Sequence, residues 1–264
     1  MFGTILVGTD GSGSATRAVQ LAARLAERTG SALLAVSVYA EPRRDGDLLN
    51  PSQSGGVDVA RGLLEDVQKN HGSAVKLETI AVSGDPADAI LTVAEQRSVG
   101  LIVTGDRGMS GARRVMGSVP NTISHHAPCH VLIAHTADGQ VGEIEITKVL
   151  IATDGSDTAT KAVQTGTALA DALGAQAVLM TANDDAAEGD EVLKAAKEAV
   201  GRDLEGVVLT GSPADAILAA ADSAGAELVV TGSRGMTGAR RLLGSVPNSV
   251  SHHIERSMFI AKTV

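Results

Sequence analysis

The sequence predicts an α/β protein of two consecutive domains, each with a doubly wound, five-stranded parallel sheet. Three observations lead to this prediction. In short apolar runs, such as residues 5–7 and 101–103, apolar and polar residues do not alternate, which is typical of strands buried on both faces. Segments with helical spacing of apolar residues separate these runs. Almost the whole pattern occurs twice along the chain.

The first copy alternates strand and helix signals. Ser12 or Ser14 is typical of a helix N-cap and Gly30 of the residue after a helix, so the first helix lies between them. Pro86 predicts the first turn of a helix, because a backbone N–H at that position has no intrahelical partner and proline loses nothing by lacking one. Strands are predicted at residues 5–7, 32–38, 75–82, 101–103 and 131–134, and further helices at 59–67 and 87–96.

A long motif divides the chain. Residues 103–121 recur at 230–248, an offset of 232 − 105 = 127, which is too long for a solenoid repeat and indicates two whole domains. We predict domains at 1–138 and 146–264, with the boundary in the polar, glycine-bearing stretch 137–144.

The second copy is the shorter one. Asp154 follows its first strand as Asp10 follows the first strand of copy one, at an offset of 154 − 10 = 144, so 144 − 127 = 17 residues are missing. They fall in residues 41–56 of the first copy, which are rich in proline, glycine, serine and charge. Such a loop serves as a mobile lid or is simply disordered.

The composition excludes several classes of function. The net charge is −9 without a basic run, which argues against nucleic-acid and membrane-surface partners. The only aromatic residues, Phe2, Tyr39 and Phe259, are too few for base stacking by a single-strand binder. A single cysteine, Cys129, leaves no internal disulfide or cysteine-based zinc cluster. Without a signal-peptide pattern or an apolar run of roughly 18 residues, we expect a soluble, cytoplasmic protein.

Glycine-rich loops follow the fourth strand of each copy, where doubly wound sheets bind ligands. Each loop leads to a Gly-Ser pair, 117–118 or 244–245, at which the first amides of a helix favour an anion. The same glycines are compatible with tight turns and a serine N-cap, but the duplication favours phosphate binding. Arg107 and Arg234, inside the loops, are the phosphate candidates.

Two aspartates, Asp10 and Asp154, end the first strands. A carboxylate at this place accepts a hydrogen bond from the exocyclic amine of an adenine, or it stabilises the turn of an Asp-Gly-Ser sequence. Both interpretations stay open.

Catalytic and metal-binding patterns are missing from the sequence. No nucleophile elbow and no lysine after a glycine loop are found, which argues against fast ATP hydrolysis. The adjacent histidines 125–126 and 252–253 project about 100° apart on a helix, so they do not readily chelate one ion. We therefore expect no enzyme, or at most slow ATP hydrolysis, and no required metal.

The Asp-Gly-Ser sequence after the first strand, the later Gly-x-x-Gly and the Gly-Ser-Val before the last strand resemble the universal stress protein family. The resemblance covers nearly the whole chain twice, as in a tandem-domain member. It implies a Rossmann-like strand order of 3-2-1-4-5 in each domain. It also implies that the last strands, at 131–135 and 258–262, pair across the two halves in an intrachain pseudo-dimer.

By this resemblance, ATP or another adenine nucleotide is the ligand, bound through the pattern Gly-x2-Gly-x9-Gly-[Ser/Thr], and the function is regulation in a stress response. Association with a second copy or another protein is also compatible with the family. The residues implied are Asp10, Val38, Gly105, Gly108, Gly117, Ser118 and Val119 for one site, and Asp154, Gly232, Gly235, Gly244, Ser245 and Val246 for the other.

The sequence departs from that pattern at one point. Eight residues, not nine, separate the second and third glycines in both copies, at 109–116 and 236–243. The loss of one residue rotates a helix by about 100° and shortens a loop by up to about 3.5 Å. The alternative is therefore a nucleotide-free stress or scaffold protein that acts by association. An ATP-pyrophosphatase is disfavoured, since residues 9–12 read Thr-Asp-Gly-Ser where those enzymes have a Ser-Gly-Gly-x-Asp-Ser loop.

Overall fold

The computed structural model describes residues 1–41, 56–107, 116–136, 145–233 and 243–263. Across these residues, ten strands form one sheet. They are β1 (Thr4–Gly8), β2 (Ala32–Tyr39), β3 (Leu77–Ser83), β4 (Leu101–Gly105), β5 (His130–Ala134), β6 (Lys148–Ala152), β7 (Gln176–Ala182), β8 (Glu205–Leu209), β9 (Leu228–Gly232) and β10 (Ser257–Ala261). The helices are α1 (Gly13–Thr29), α2 (Gly56–His71), α3 (Pro86–Gln96), α4 (Ser118–His126), α5 (Asp157–Leu173), α6 (Ala186–Val200), α7 (Pro213–Ala224) and α8 (Ser245–His253).

The predicted fold class is confirmed. The strand order is β3-β2-β1-β4-β5 in the first half and β8-β7-β6-β9-β10 in the second, and all neighbours within a half are parallel. Each half therefore has the predicted order 3-2-1-4-5. The order reverses between β1 and β4, and again between β6 and β9, so a switch point lies at the carboxyl edge of each half.

The two halves join where β5 and β10 pair antiparallel, with Leu132 opposite Phe259. The pairing expected of an intrachain pseudo-dimer is confirmed. At one end of this seam, the ring of His130 stacks on that of Phe259, with centroids 5.5 Å apart, and its Nδ1 accepts the N–H of Lys262. Burial lowers the pKa of His130. The stacked rings and the antiparallel ladder hold the two halves in one continuous sheet.

Apolar residues on both faces of the sheet build the core. Ile5 and Val103 pack under α1 on one face, while Leu6 and Ile102 pack under α3 on the other. Each of these layers also contains strand residues from the second half. A sheet covered on both faces explains why its strands read as unbroken apolar runs.

Most of the predicted elements of the first half lie within two or three residues of their expected ends, and α2 is longer than predicted. Ser12, not Ser14, caps α1, because its Oγ accepts the N–H of Ala15, and Gly30 ends the helix at a φ of 65°. The predicted domain boundary at 137–144 and residues 42–55 of the predicted insertion lie outside the described residues. No helix in the described part of the chain is long and apolar enough to cross a membrane.

Candidate functional site

Three elements of the first half meet at the carboxyl edge of the sheet. The N–H of Gly117 donates to the carbonyl of Asp106 at 2.9 Å, which ties the start of α4 to the end of β4. The hydroxyl of Ser14, in α1, donates to the carbonyl of Arg107. A Cβ on Gly105 would lie 2.6 Å from the Oγ and 2.7 Å from the carbonyl carbon of Ser14. Gly105 is therefore required by the packing of β4 against α1.

Gly117 is not required by packing against the residues that the structure describes. It is the N-cap of α4 with φ −61° and ψ 160°, a conformation open to any residue. A Cβ there would meet its nearest described atoms at 3.5 Å, which is ordinary contact. Gly244 caps α8 with nearly the same angles, φ −64° and ψ 159°. The described chain therefore sets no steric demand for glycine at 117.

The starts of α4 and α8 differ from those of the five other helices whose preceding residue is described. Neither Gly117 nor Gly244 supplies a side-chain cap, so the amides of Ser118, Val119, Ser245 and Val246 stand at uncapped helix starts. Wherever the residue before another helix is described, a side-chain oxygen accepts from that helix. These caps are Ser12, Asp85, Ser156, Asp185 and Ser212.

Asp10 and Asp154 both form turns at the end of the first strand of their half. Oδ1 of Asp10 accepts the N–H of Ser12 at 2.9 Å, and Oδ1 of Asp154 accepts the N–H and Oγ of Ser156 at 3.1 and 2.6 Å. Both residues are exposed. A carboxylate accepts several hydrogen bonds at once, so the turn and a contact with a ligand are compatible.

Val38 lies at the same edge as Asp10. It is half-buried near the end of β2, in register with Val82 of β3, and packs against the apolar layer on the α3 face. The N–H of Thr9 donates to the carbonyl of Val36, which holds the Asp10 turn beside the end of β2. The Asp10 turn and the end of β2 thus lie side by side at this edge.

A buried ionic cluster occupies the end of β4 in the first half. Oδ2 of Asp106 lies 3.0 Å from Nδ1 of His135 and 3.3 Å from Nε of Arg107, and the guanidinium of Arg107 also donates to the carbonyl of Thr136 at 2.7 Å. Asp106 is 9% exposed, and its Oδ1 is buried without a partner among the described residues. Arg107, the predicted phosphate ligand, is thus paired with Asp106.

The second half has an uncharged residue at the position of Asp106. Ser233 replaces Asp106, and its Oγ lies 3.1 Å from the hydroxyl of Thr263 and accepts the N–H of Thr263. The carbonyl of Ser233 accepts the N–H of Gly244 at 2.9 Å, as that of Asp106 does for Gly117. Sequence reasoning missed this contrast, although Asp106 against Ser233 is visible as a change of charge within the repeated motif.

Three predicted site residues, Gly108, Arg234 and Gly235, lie outside the described residues. Gly232 ends β9 as Gly105 ends β4. Burial raises the pKa of Cys129 to about 12, so its thiol stays protonated near neutral pH. Among the residues that the structure describes, no three His, Cys, Asp or Glu side chains are grouped as metal ligands would be.

Comparison with known proteins agrees with this architecture. The model of the universal stress protein family matches residues 1–135 and 182–262. The chain belongs to this family. A universal stress protein of Mycobacterium tuberculosis is 35% identical over 141 residues, which cover 50% of this chain and 96% of that protein. The YxiE universal stress protein of Bacillus subtilis is 32% identical over 150 residues, or 50% of this chain and 99% of its own length.

Each of these relatives therefore corresponds to half of the chain, and the two matched stretches indicate a tandem member of the universal stress protein family. The crystal structure of a universal stress protein from Archaeoglobus fulgidus covers 99% of both chains with a TM-score of 0.77. At 23% identity, this likeness extends to the fold alone.

Proposed function

We propose that this universal stress protein is an adenine-nucleotide-binding regulator that holds one nucleotide in each half and turns it over slowly or not at all. One observation carries the proposal. Of the helices whose preceding residue is described, α4 and α8 alone start without a side-chain cap, and both lie at the switch point of their half.

An uncapped helix start favours a phosphate. Its first N–H groups have no intrahelical partner, and the helix dipole places about half a positive charge there. Glycine at 117 and 244 leaves the approach open, and Ser118 is exposed beside it. The amides of Ser118 and Val119, and of Ser245 and Val246, would therefore hold the phosphates.

The opposite end of the site suits a purine base. Asp10 presents an exposed carboxylate that accepts from an exocyclic amine, and Val38 offers aliphatic surface beside it. Asp154 repeats the carboxylate in the second half. An adenine has such an amine, whereas a guanine presents a carbonyl at the equivalent ring position, so adenine is the favoured base.

The shortened loop favours a second candidate, a nucleotide-free protein that acts by association. Calorimetric titration with ATP, ADP, AMP and cyclic AMP separates the two. We expect binding by the wild-type protein and none by the double variant Gly117→Val/Gly244→Val. Gly62→Val is the matched control, because Gly62 lies exposed in α2 with no atom near its hypothetical Cβ. A folded wild-type protein that gives no heat with any of these nucleotides would exclude the nucleotide role.

A further inference from the structure

We infer that the two sites discriminate differently between nucleotides of different charge, and that Asp106 is the residue that sets the difference. The second half favours polyphosphates over monophosphates more strongly than the first half does. The inference rests on the proposed function, since it assigns a specificity to the same two sites.

The position that differs is coupled directly to the uncapped helix start. In each half, the residue after the fourth-strand glycine accepts the N–H of the helix N-cap through its own carbonyl, at 2.9 Å in both cases. That residue is Asp106 in the first half and Ser233 in the second. The residue whose backbone contacts the proposed phosphate site therefore carries a carboxylate in the first half and a hydroxyl in the second.

The carboxylate of Asp106 is held in place. His135 and Arg107 contact its Oδ2, the amide of Thr136 lies 3.5 Å from the same oxygen, and only 13% of the side chain is exposed. Its Oδ1 is buried and has no partner among the described residues. Water screens a buried charge poorly, so its field reaches a neighbouring ligand more strongly than that of a surface carboxylate.

The next residue in both sequences is an arginine, but the residue before it is charged in the first half alone. Arg107 pairs with Asp106, so the two side chains together carry no net charge. In the second half Ser233 is uncharged and hydrogen-bonded to Thr263, so the sequence Ser-Arg at 233–234 contributes a charge of plus one where Asp-Arg at 106–107 contributes none. Lys262, which stands where the first half has His135, extends Nζ to the carbonyl of Ala127 in the first half.

The change from Asp106 to Ser233 is a difference of one unit charge, and its effect grows in proportion to the charge of the ligand. Near neutral pH, ATP carries about two more negative charges than AMP. At the separations and effective dielectric of a protein surface, this makes the preference for ATP over AMP about tenfold greater in the second half. Phosphate-binding amides alone, which both halves share, would give equal preferences.

The test uses proteins with one intact site. Gly244→Val leaves the first site and Gly117→Val the second, and the ratio of the AMP and ATP dissociation constants is measured by calorimetry at fixed ionic strength without divalent cations. We expect Asp106→Ser, and the isosteric Asp106→Asn, to raise this ratio in the first site by about tenfold. Ser233→Asp is expected to lower it in the second. Asp66→Ser, an exposed change on α2, matches the change in net charge and is expected to leave the ratio unaltered.

The outcomes separate the inference from the function on which it rests. If neither single-site protein binds any nucleotide while its thermal unfolding is normal, the proposed function fails and the inference with it. If both sites bind with equal AMP-to-ATP ratios, or if neither Asp106→Asn nor Asp106→Ser changes the ratio, the function stands and the inference is overturned. Thermal unfolding of each variant confirms that a changed ratio comes from a folded protein.

Discussion

The two halves of the molecule share their framework and differ where a ligand would bind. Strand order and parallel pairing are the same, and Ser12 and Ser156 cap equivalent helices. At the ends of β4 and β9, however, one half has a buried Asp106–Arg107–His135 cluster and the other a hydroxyl pair. Such a duplication keeps the uncapped helix start twice, while the charge of the residue that contacts it differs between the copies.

The largest effect is expected at the seam, the antiparallel pairing of β5 with β10 that joins the two halves. Phe259 is fully buried and faces Leu132, its counterpart in the first half. We expect Phe259→Ala to reduce the free energy of unfolding by about 3–5 kcal/mol, since it leaves a cavity between the halves. Phe259→Leu, which makes the two sides of the seam alike, should cost clearly less. Chemical denaturation measures both, and equal costs would show that the ring does not fill the seam.

The ionic cluster predicts a stability difference between equivalent positions. Asp106→Asn removes the charge that pairs with Arg107 and His135, so we expect a loss of about 1–3 kcal/mol. Ser233→Ala removes a hydroxyl that makes two neutral hydrogen bonds, to the hydroxyl and to the N–H of Thr263, and we expect a loss of about 1 kcal/mol. Urea denaturation of both variants checks the order, and the reverse order would contradict the assignment of Asp106 as a charge held by its neighbours.

The helix starts give a sharper comparison within each half. Ser12→Ala and Ser156→Ala should each cost about 1 kcal/mol, because each serine caps a helix. Ser118→Ala and Ser245→Ala should stay within about 0.5 kcal/mol of the wild type, since neither serine caps. Thermal unfolding without nucleotide tests the contrast. A substantial cost at Ser118 would mean that its hydroxyl satisfies the helix start and that no ligand is needed there.

The smallest expected effect is a pH dependence at one end of the seam. Burial lowers the pKa of His130, and its Nδ1 accepts a hydrogen bond, so the folded protein favours the neutral ring. The unfolded chain then binds more protons, and stability falls as pH drops below the ordinary histidine pKa of about 6.5. His130→Ser should flatten the pH profile of the unfolding midpoint. Burial also lowers the pKa of His71, so the comparison is the difference in slope between wild type and variant.

The sequence was sufficient for the fold because buried parallel strands and a duplicated motif leave clear local signals. Residues 101–103 read as a strand, and Ser12 and Gly30 bound α1 as predicted. The site was harder. The pairing of Asp106 with His135 depends on the register of β4 against β5, in which Gly105 lies opposite Ala134. No local sequence pattern predicts that register. The predictions for Gly108, Arg234, Gly235 and the domain boundary concern residues outside those described.

The central claim is that the amides at the starts of α4 and α8 hold the phosphates of a nucleotide. The most direct measurement is the amide ¹⁵N–¹H spectrum during titration with ATP. We predict that the signals of Ser118, Val119, Ser245 and Val246 shift strongly, while Ala15 and Ala159, in the first turns of the capped helices α1 and α5, stay in place. If these four amides do not move as ATP binds, or if millimolar ATP leaves the whole spectrum unchanged, the claim is wrong.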